Sequence, residues 1–353
     1  MRVLVALSGG VDSSVAAALL SEAGHDVVTA TMKLWGGPSD SGCCSVSDVD
    51  DARLAASALS LEHHVFNFTE EFEEAVVAPY VAAHAEGRTP NPCVECNRRI
   101  KFSAFSDRAR RLGFDAVATG HHARVRRDPV SGRVRLLRGL DRAKDQSYVL
   151  ACLKAGQLDN LLLPIGELTK KEVRRLAAER SLATAEKPDS QEVCFLGGAG
   201  ASARRAFLAS RIPLHTARLV DHASGEDLGT LGAVELLTVG QRRGLGMSFG
   251  ERRFVVEIDA ASRLVRVGGP QELSASGVSL VRRTYTGCEG ESSLEGRELS
   301  AQASAHGSPF AVRVAGDDVL FLEERRRVAP GQTVALYDGD EVLGSGIAVR
   351  AIT

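Results

Sequence analysis

The stretch RVLVALSGGVDSSVAAALL, residues 2–20, decides the fold. Val3, Leu4, Val5, Ala6 and Leu7 form a continuous apolar run with the length of a buried strand. The run breaks into Ser8-Gly9-Gly10-Val11-Asp12-Ser13-Ser14 and continues into alanine and leucine, the composition of a helix. A strand, a glycine-rich turn and a helix in that order describe a phosphate-binding turn. Gly9 and Gly10 have no Cβ to hold an anion off the backbone, and the helix directs its positive end at the same point. Ser8 and Ser13 add hydroxyl donors. Asp12 suits a bare anion site poorly, so its presence points to a Mg²⁺ ion bridging phosphates.

The spacing matches neither G-x-x-x-x-G-K-[ST] nor G-x-G-x-x-G, which removes the kinase-like and dinucleotide readings. S-G-G-x-D-S after an N-terminal strand resembles the PP-loop of the ATP pyrophosphatase superfamily. That resemblance implies ATP cleaved between its α and β phosphates to adenylate a carbonyl oxygen.

A chain of 353 residues has room for about two or three domains. Its composition, 44% apolar and 25% charged, is that of a globular protein. It contains no run of roughly 18 apolar residues and no charged leader ahead of an apolar segment, so a cytoplasmic protein without a membrane partner is expected. The net charge of −2 argues against a nucleic-acid binder that works by overall charge. Its distribution is uneven, however: residues 98–144 hold 14 Lys and Arg against four Asp, whereas residues 40–74 are acidic. Either a solvated basic face or a phosphate-contacting surface accounts for the basic stretch. Seven cysteines, at 43, 44, 93, 96, 152, 194 and 288, direct attention to metal or thiol chemistry rather than to a disulfide framework.

Following the chain, a first helix ends at Gly24 and 25–32 reads as a second buried strand, giving a βαβ unit and a parallel sheet. Helical spacing at 46–60, a strand at 63–68 and an acidic-fronted helix at 70–85 continue the pattern. Residues 87–92 read as a proline-broken loop. A basic helix over 97–112, a short strand at 116–119, a hairpin over 125–140 and a helix at 168–180 follow. Thr169 and Glu172 of that helix stand at capping-box spacing. Beyond residue 200 the segments are short, β-like and separated by Gly, Ser and Asp turns. The expected architecture is α/β: an N-terminal parallel-sheet PP-loop domain (1–200), of the adenine nucleotide α-hydrolase type, followed by two small mainly-β domains. These are a central β-rich domain (201–272) and a C-terminal β-barrel (273–353).

Cys93-Val94-Glu95-Cys96 admits three readings from its residues: half of a zinc site, a redox dithiol, or a pair containing a nucleophile. The third needs a second thiol, and Cys194 in DSQEVCFL is the candidate. A non-catalytic zinc or RNA-binding module using Cys43, Cys44, Cys93 and Cys96 is the reading outside enzymes. Within enzymes, a thiocytidine or lysidine synthase shares the PP-loop.

Taken together, SGGVDSS, TPNPCVECNRRIKF, TGHHARV, KDQSYVL, DSQEVCFLGG and VGQRRGLG resemble the tRNA-specific 2-thiouridylase family (the MnmA/TrmU type) over essentially the whole chain. That resemblance implies ATP-dependent 2-thiolation of the wobble uridine, with the anticodon region of tRNA and a persulfide donor such as a cysteine desulfurase as partners. It implies that Ala6, Leu7, Ser8, Gly9, Gly10, Val11, Asp12 and Ser13 hold ATP, with Met32 and Gly120 on the adenosine side. Asn91, Pro92 and Cys93 would meet the target uracil, and Lys144, Asp145 and Gln146 would contact the tRNA. Cys96 would be the nucleophile and Cys194 the persulfide carrier, the two closing a disulfide during turnover; Asp12 would serve catalysis and hold Mg²⁺. The chain departs from the family twice. Cys93 stands where many members carry Asp, and Ala303-Ser304-Ala305-His306 stands where many have an arginine-rich strand.

Overall fold

The structure is a computed structural model describing residues 1–35, 46–189, 193–198, 200–245, 252–287 and 290–353. Its first sheet has five parallel strands in the order β3-β2-β1-β4-β7, formed by β1 (Arg2–Ala6), β2 (Asp26–Lys33), β3 (Glu62–Asn67), β4 (Ala116–Ala118) and β7 (Leu161–Leu162). Alternation along β1 explains why both faces are covered. Val3, Val5 and Leu7 pack with Ala17 and Leu20 of helix α1 (Val11–Glu22) and with Ala52 and Ala55 of helix α2 (Val46–Ala58). Leu4 and Ala6 point the other way, into a cluster with Phe66, Ile100 and Phe105.

Because β2 lies on one side of β1 and β4 on the other, the strand order reverses there. Ligands of open α/β sheets bind at the carboxyl ends of strands at such a point. The loops leaving β1 and β4 do meet. A Cβ on Gly120 would lie 2.5 Å from the Ser13 nitrogen and 2.6 Å from the Asp12 carbonyl carbon, so only glycine lets these loops touch.

A second sheet, ordered β10-β11-β8-β9, is built from β8 (Ala217–Asp221), β9 (Asp227–Leu231), β10 (Phe254–Asp259) and β11 (Leu264–Gly268). The C-terminal sheet comprises β12 (Ser274–Tyr285), β13 (Glu298–Gln302), β14 (Phe310–Ala315), β15 (Asp318–Arg326), β16 (Thr333–Asp338) and β17 (Glu341–Ile352). The 12-residue β12 pairs with both β15 and β17, which closes these strands into a barrel and removes their free edges. Buried Val278, Leu280, Val312, Val319 and Val334 fill it.

The barrel is bonded into the N-terminal half. The hairpin β5 (Ala123–Arg127) and β6 (Val134–Arg138) pairs through β6 with β17 and extends the C-terminal sheet. The Arg138 guanidinium lies 3.6 Å from the Tyr337 ring centroid and donates to Asp145 and to Gln302, both at 2.9 Å. Thr286 and Ser345 hydroxyls donate to the Ala151 carbonyl at 3.1 and 2.9 Å, and the Tyr148 hydroxyl donates to the Thr333 carbonyl at 2.9 Å. Arg138 and Asp145 have side chains only 10% and 7% exposed, so Arg138→Ala strands a buried carboxylate. The expected cost is about 3–5 kcal/mol of stability, read by urea unfolding. Two-state unfolding at the wild-type midpoint would show that the pair does not join the halves.

Candidate active site

Gly9 has φ +71°, a conformation that favours glycine, and a Cβ there would approach the Asp48 carbonyl oxygen to 2.3 Å. Helix α1 therefore begins under the start of α2. Gly10 is its N-cap and supplies no side-chain hydrogen bond, so no cap competes for the first-turn N–H groups. The Ser13 hydroxyl instead braces the turn, accepting from the Ser8 N–H at 3.2 Å and donating to the Gly10 carbonyl at 3.0 Å. These features fit a phosphate. Ala6, Leu7 and Val11 are buried beneath the turn, and Met32 is partly buried at the end of β2.

Asp12 opens onto the turn. Lys170 donates to its Oδ1 and Oδ2 at 2.8 and 2.7 Å, and His122 Nε2 lies 3.1 Å from Oδ1. Burial pushes the Asp12 carboxyl up, but hydrogen bonds from His122 and Lys170 outweigh it and hold the carboxyl below its usual range. Among the described residues no three His, Cys, Asp or Glu side chains gather as a metal cage. A single carboxylate beside a phosphate-binding turn nonetheless fits Mg²⁺, which commonly takes one or two carboxylates and completes its shell with phosphate and water.

Lys170 also pairs with Asp189, 2.8 Å away, which Lys144 reaches at 2.8 Å and Arg174 at 3.0 Å. Burial raises the Asp189 carboxyl, and hydrogen bonds from Lys144 and Lys170 bring it down to about 2, so it is ionised at neutral pH. The sequence motifs single out none of Lys170, Asp189 and His122 as site residues. The one available signal was that TGHH ends β4, the strand beside β1.

The cysteine motif is helical. Pro92 was expected in a broken loop, but it opens a helix, Pro92–Cys96, at the first position, where a missing N–H costs nothing. Asn91 caps it by accepting from the N–H groups of Cys93 (3.0 Å) and Val94 (3.3 Å). The chain continues as a π-helix over Asn97–Ala104, a form frequent at functional sites. Cys93 is exposed and Cys96 buried. Arg98 lies 3.8 Å from Glu95; nearby, the Cys152 thiol donates to the Val94 and Val149 carbonyls and burial pushes it up to about 11.

Cys194 is half-buried and packs against the same apolar cluster that contains Cys96. Phe195 anchors it, with ring centroids 5.1 Å from Phe207, 5.3 Å from Tyr80, 5.8 Å from Phe72 and 6.1 Å from Trp35. Both segments thus meet one core; the pair stands as thiols. Ser190, Gln191, Glu192, Cys43, Cys44 and Cys288 lie outside the described residues.

Of the Lys144-Asp145-Gln146 turn, Asp145 faces inward to Arg138, Gly139 and Ser147. Gln146 accepts from the His122 N–H at 2.9 Å. Much of the basic stretch at 98–144 is paired internally: Arg124 and Arg142 with Asp340, Arg126 with Glu167, Arg127 with Asp159, and Arg133 with Glu341. Ala303 at the departure from the arginine-rich pattern accepts through its carbonyl from Tyr148 at 3.3 Å.

Three family profiles match: tRNA methyl transferase HUP domain over residues 1–198, tRNA methyl transferase PRC-barrel domain over 205–269, and aminomethyltransferase β-barrel domain over 274–348. Proteins named tRNA-specific 2-thiouridylase MnmA are similar along their whole length. That of Acidothermus cellulolyticus is 44% identical, the match covering 99% of this chain and 98% of the relative. That of Mycobacterium sp. strain JLS is 46% identical, covering 98% of each. That of Mycolicibacterium smegmatis is 45% identical, covering 99% of this chain and 100% of the relative. A chain that aligns end to end with these proteins at such identity belongs to the tRNA-specific 2-thiouridylase MnmA family.

Proposed function

We propose that this protein thiolates position 2 of the wobble uridine of tRNA, consuming ATP and releasing AMP and diphosphate. The observation carrying this reading is the packing of the Cys96 and Cys194 segments on one core, with Asp189 tying the second segment to the phosphate-binding turn. The profile names mention methyl transfer, but methyl transfer has no use for an adenylating turn with two thiols.

Uracil O2 is a poor leaving group, so it first attacks the α-phosphate and expels diphosphate. The residues Ala6 to Ser13 hold the nucleotide, with Met32 and Gly120 on its adenosine side. Asp12 would hold a Mg²⁺ ion, which would supply charge neutralisation to the polyphosphate. Asn91, Pro92 and Cys93 meet the uracil; the Lys144-Asp145-Gln146 turn faces the anticodon region, with Asp145 shaping it from inside.

Cys194 carries a persulfide received from a donor protein of the cysteine desulfurase type. The Cys96 thiolate attacks the Cys194 sulfur, forming the Cys96–Cys194 disulfide and expelling hydrosulfide, which adds to C2 and displaces AMP. An external dithiol then reduces the disulfide. Cytoplasmic placement suits a tRNA substrate and thiols that must be regenerated; no helix among the described residues is long and apolar enough to cross a membrane. The division into units at 1–200, 201–272 and 273–353 belongs to the same reading.

Incubation with ATP, Mg²⁺, a persulfide source and unmodified tRNA, followed by nucleoside analysis, is expected to yield 2-thiouridine with AMP in equal amount. AMP without 2-thiouridine, or neither product, would overturn the reading.

A further inference from the structure

Lys170 is the residue that joins the nucleotide turn to the Cys194 segment. Its ammonium meets three carboxylate oxygens: it donates to both oxygens of Asp12, in the first turn of α1, and forms an ion pair with Oδ1 of Asp189 at 2.8 Å. The side chain is 12% exposed, so these contacts form largely out of water. Asp189 stands five residues before Cys194 and is also held by Lys144 and Arg174. The cluster thus sets the carboxylates Asp12 and Asp189 against Lys144, Lys170 and Arg174, with Asp141 accepting from the Lys170 backbone N–H at 3.0 Å and His122 adjoining. Three cationic heads gathered beside an uncapped helix N-terminus can be shared with an anion of several charges.

We propose that Lys170 binds the polyphosphate of the nucleotide and that, through Asp189, it couples nucleotide occupancy to the placement of the Cys194 segment. The proposal rests on the ATP-dependent reading above. Phosphate oxygens seated on the first turn of α1 lie beside Asp12 and compete with its carboxylate for the Lys170 ammonium. The ammonium of Lys170 is the group within reach of both, and a lysine head is a point charge that passes from carboxylate to phosphate by rotating its stem. As the ammonium turns toward phosphate, its bond to Asp189 tightens or breaks, and Asp189 is covalently continuous with the segment that Phe195 anchors. Lys170 is a ligand in this scheme; Asp189 is a positioning residue.

The test uses the full chain and α,β-methylene-ATP with Mg²⁺, a probe that cannot be cleaved between its α and β phosphates. Affinities for this analogue and for AMP are measured by calorimetry, and alkylation of Cys194 by iodoacetamide is followed by mass spectrometry with and without each nucleotide. In the wild type the analogue is expected to change the Cys194 alkylation rate by about threefold or more, and AMP to leave it unchanged. Lys170→Gln is expected to weaken the analogue by about tenfold while AMP moves by less than about twofold, with Lys170→Arg restoring most of the loss. Asp189→Asn is expected to bind the analogue nearly normally yet lose the alkylation response. A Lys170→Gln protein that binds the analogue as the wild type does, or that loses AMP to the same extent, overturns the ligand role. A wild type without the alkylation response, or Asp189→Asn with it intact, overturns the coupling. Failure of the wild type to bind the analogue at all would instead overturn the ATP-dependent reading.

Discussion

Cys194→Ser is expected to lower 2-thiouridine formation by about a thousandfold or more while diphosphate release from ATP and tRNA continues. The two activities separate because they use different ends of the site. Adenylation draws on the turn from Ser8 to Ser13 and on Asp12, whereas the transferred sulfur has to be carried by a thiol. Serine keeps the size of the side chain, and Phe195 keeps its seat among Phe207, Tyr80 and Phe72, so the segment stays folded. Cys96→Ser is expected to be equally inactive in thiolation for a different reason: a persulfide accumulates on Cys194 and is not released. Cys93→Ser keeps part of the activity, since Cys93 is exposed on the first helical turn and its backbone N–H is what Asn91 binds. Single-turnover reactions analysed for diphosphate, thiolated nucleoside and the mass of the Cys194 peptide separate these cases. Full thiolation by Cys96→Ser, or a persulfide found on Cys93 and absent from Cys194, would reassign the thiols.

The parts of this site that were legible in the sequence are local. Residues 2–20 form the expected strand, turn and helix because an apolar run, two glycines and an alanine-rich segment each act within a few residues of one another. The capping box of Thr169 and Glu172 is present for the same reason, with the Thr169 N–H donating to Glu172 at 2.7 Å. What sequence could not reveal depends on pairs far apart in the chain. Lys170 and Asp12 are separated by 158 positions and meet only because the Lys170–Glu179 helix packs on α1 through Val173, Ala177 and Val15. Nothing in the local pattern of Lys170-Lys171-Glu172 marks the first lysine as buried. The hairpin at 123–138 was legible as a hairpin, but its pairing with β17 spans some two hundred residues and follows from shape, not periodicity. The basic excess over 98–144 was legible as composition; that Arg124, Arg133 and Arg142 within it pair with Asp340 and Glu341 at the edge of the barrel was not, because those carboxylates lie some two hundred positions away.

Asp12→Asn should reduce diphosphate release by about a hundredfold or more and leave tRNA affinity within about twofold of the wild type. Asparagine preserves the shape of the side chain but removes the charge that Lys170 and His122 both face, and with it the anionic ligand for Mg²⁺. The same substitution has a signature in stability. Because the Asp12 carboxyl sits below its ordinary range when folded, its ionisation stabilises the fold above the unfolded pKa, and that contribution is lost as pH falls through the lowered folded value. The variant is therefore expected to unfold more easily than the wild type at neutral pH, with the difference narrowing in acid. Stopped-flow diphosphate release and thermal unfolding across pH 3–7 read the two effects on one protein, and they need not fail together. A variant with the stability signature but undiminished diphosphate release would leave Asp12 as an anchor for Lys170, and the metal would have to be carried by the nucleotide alone.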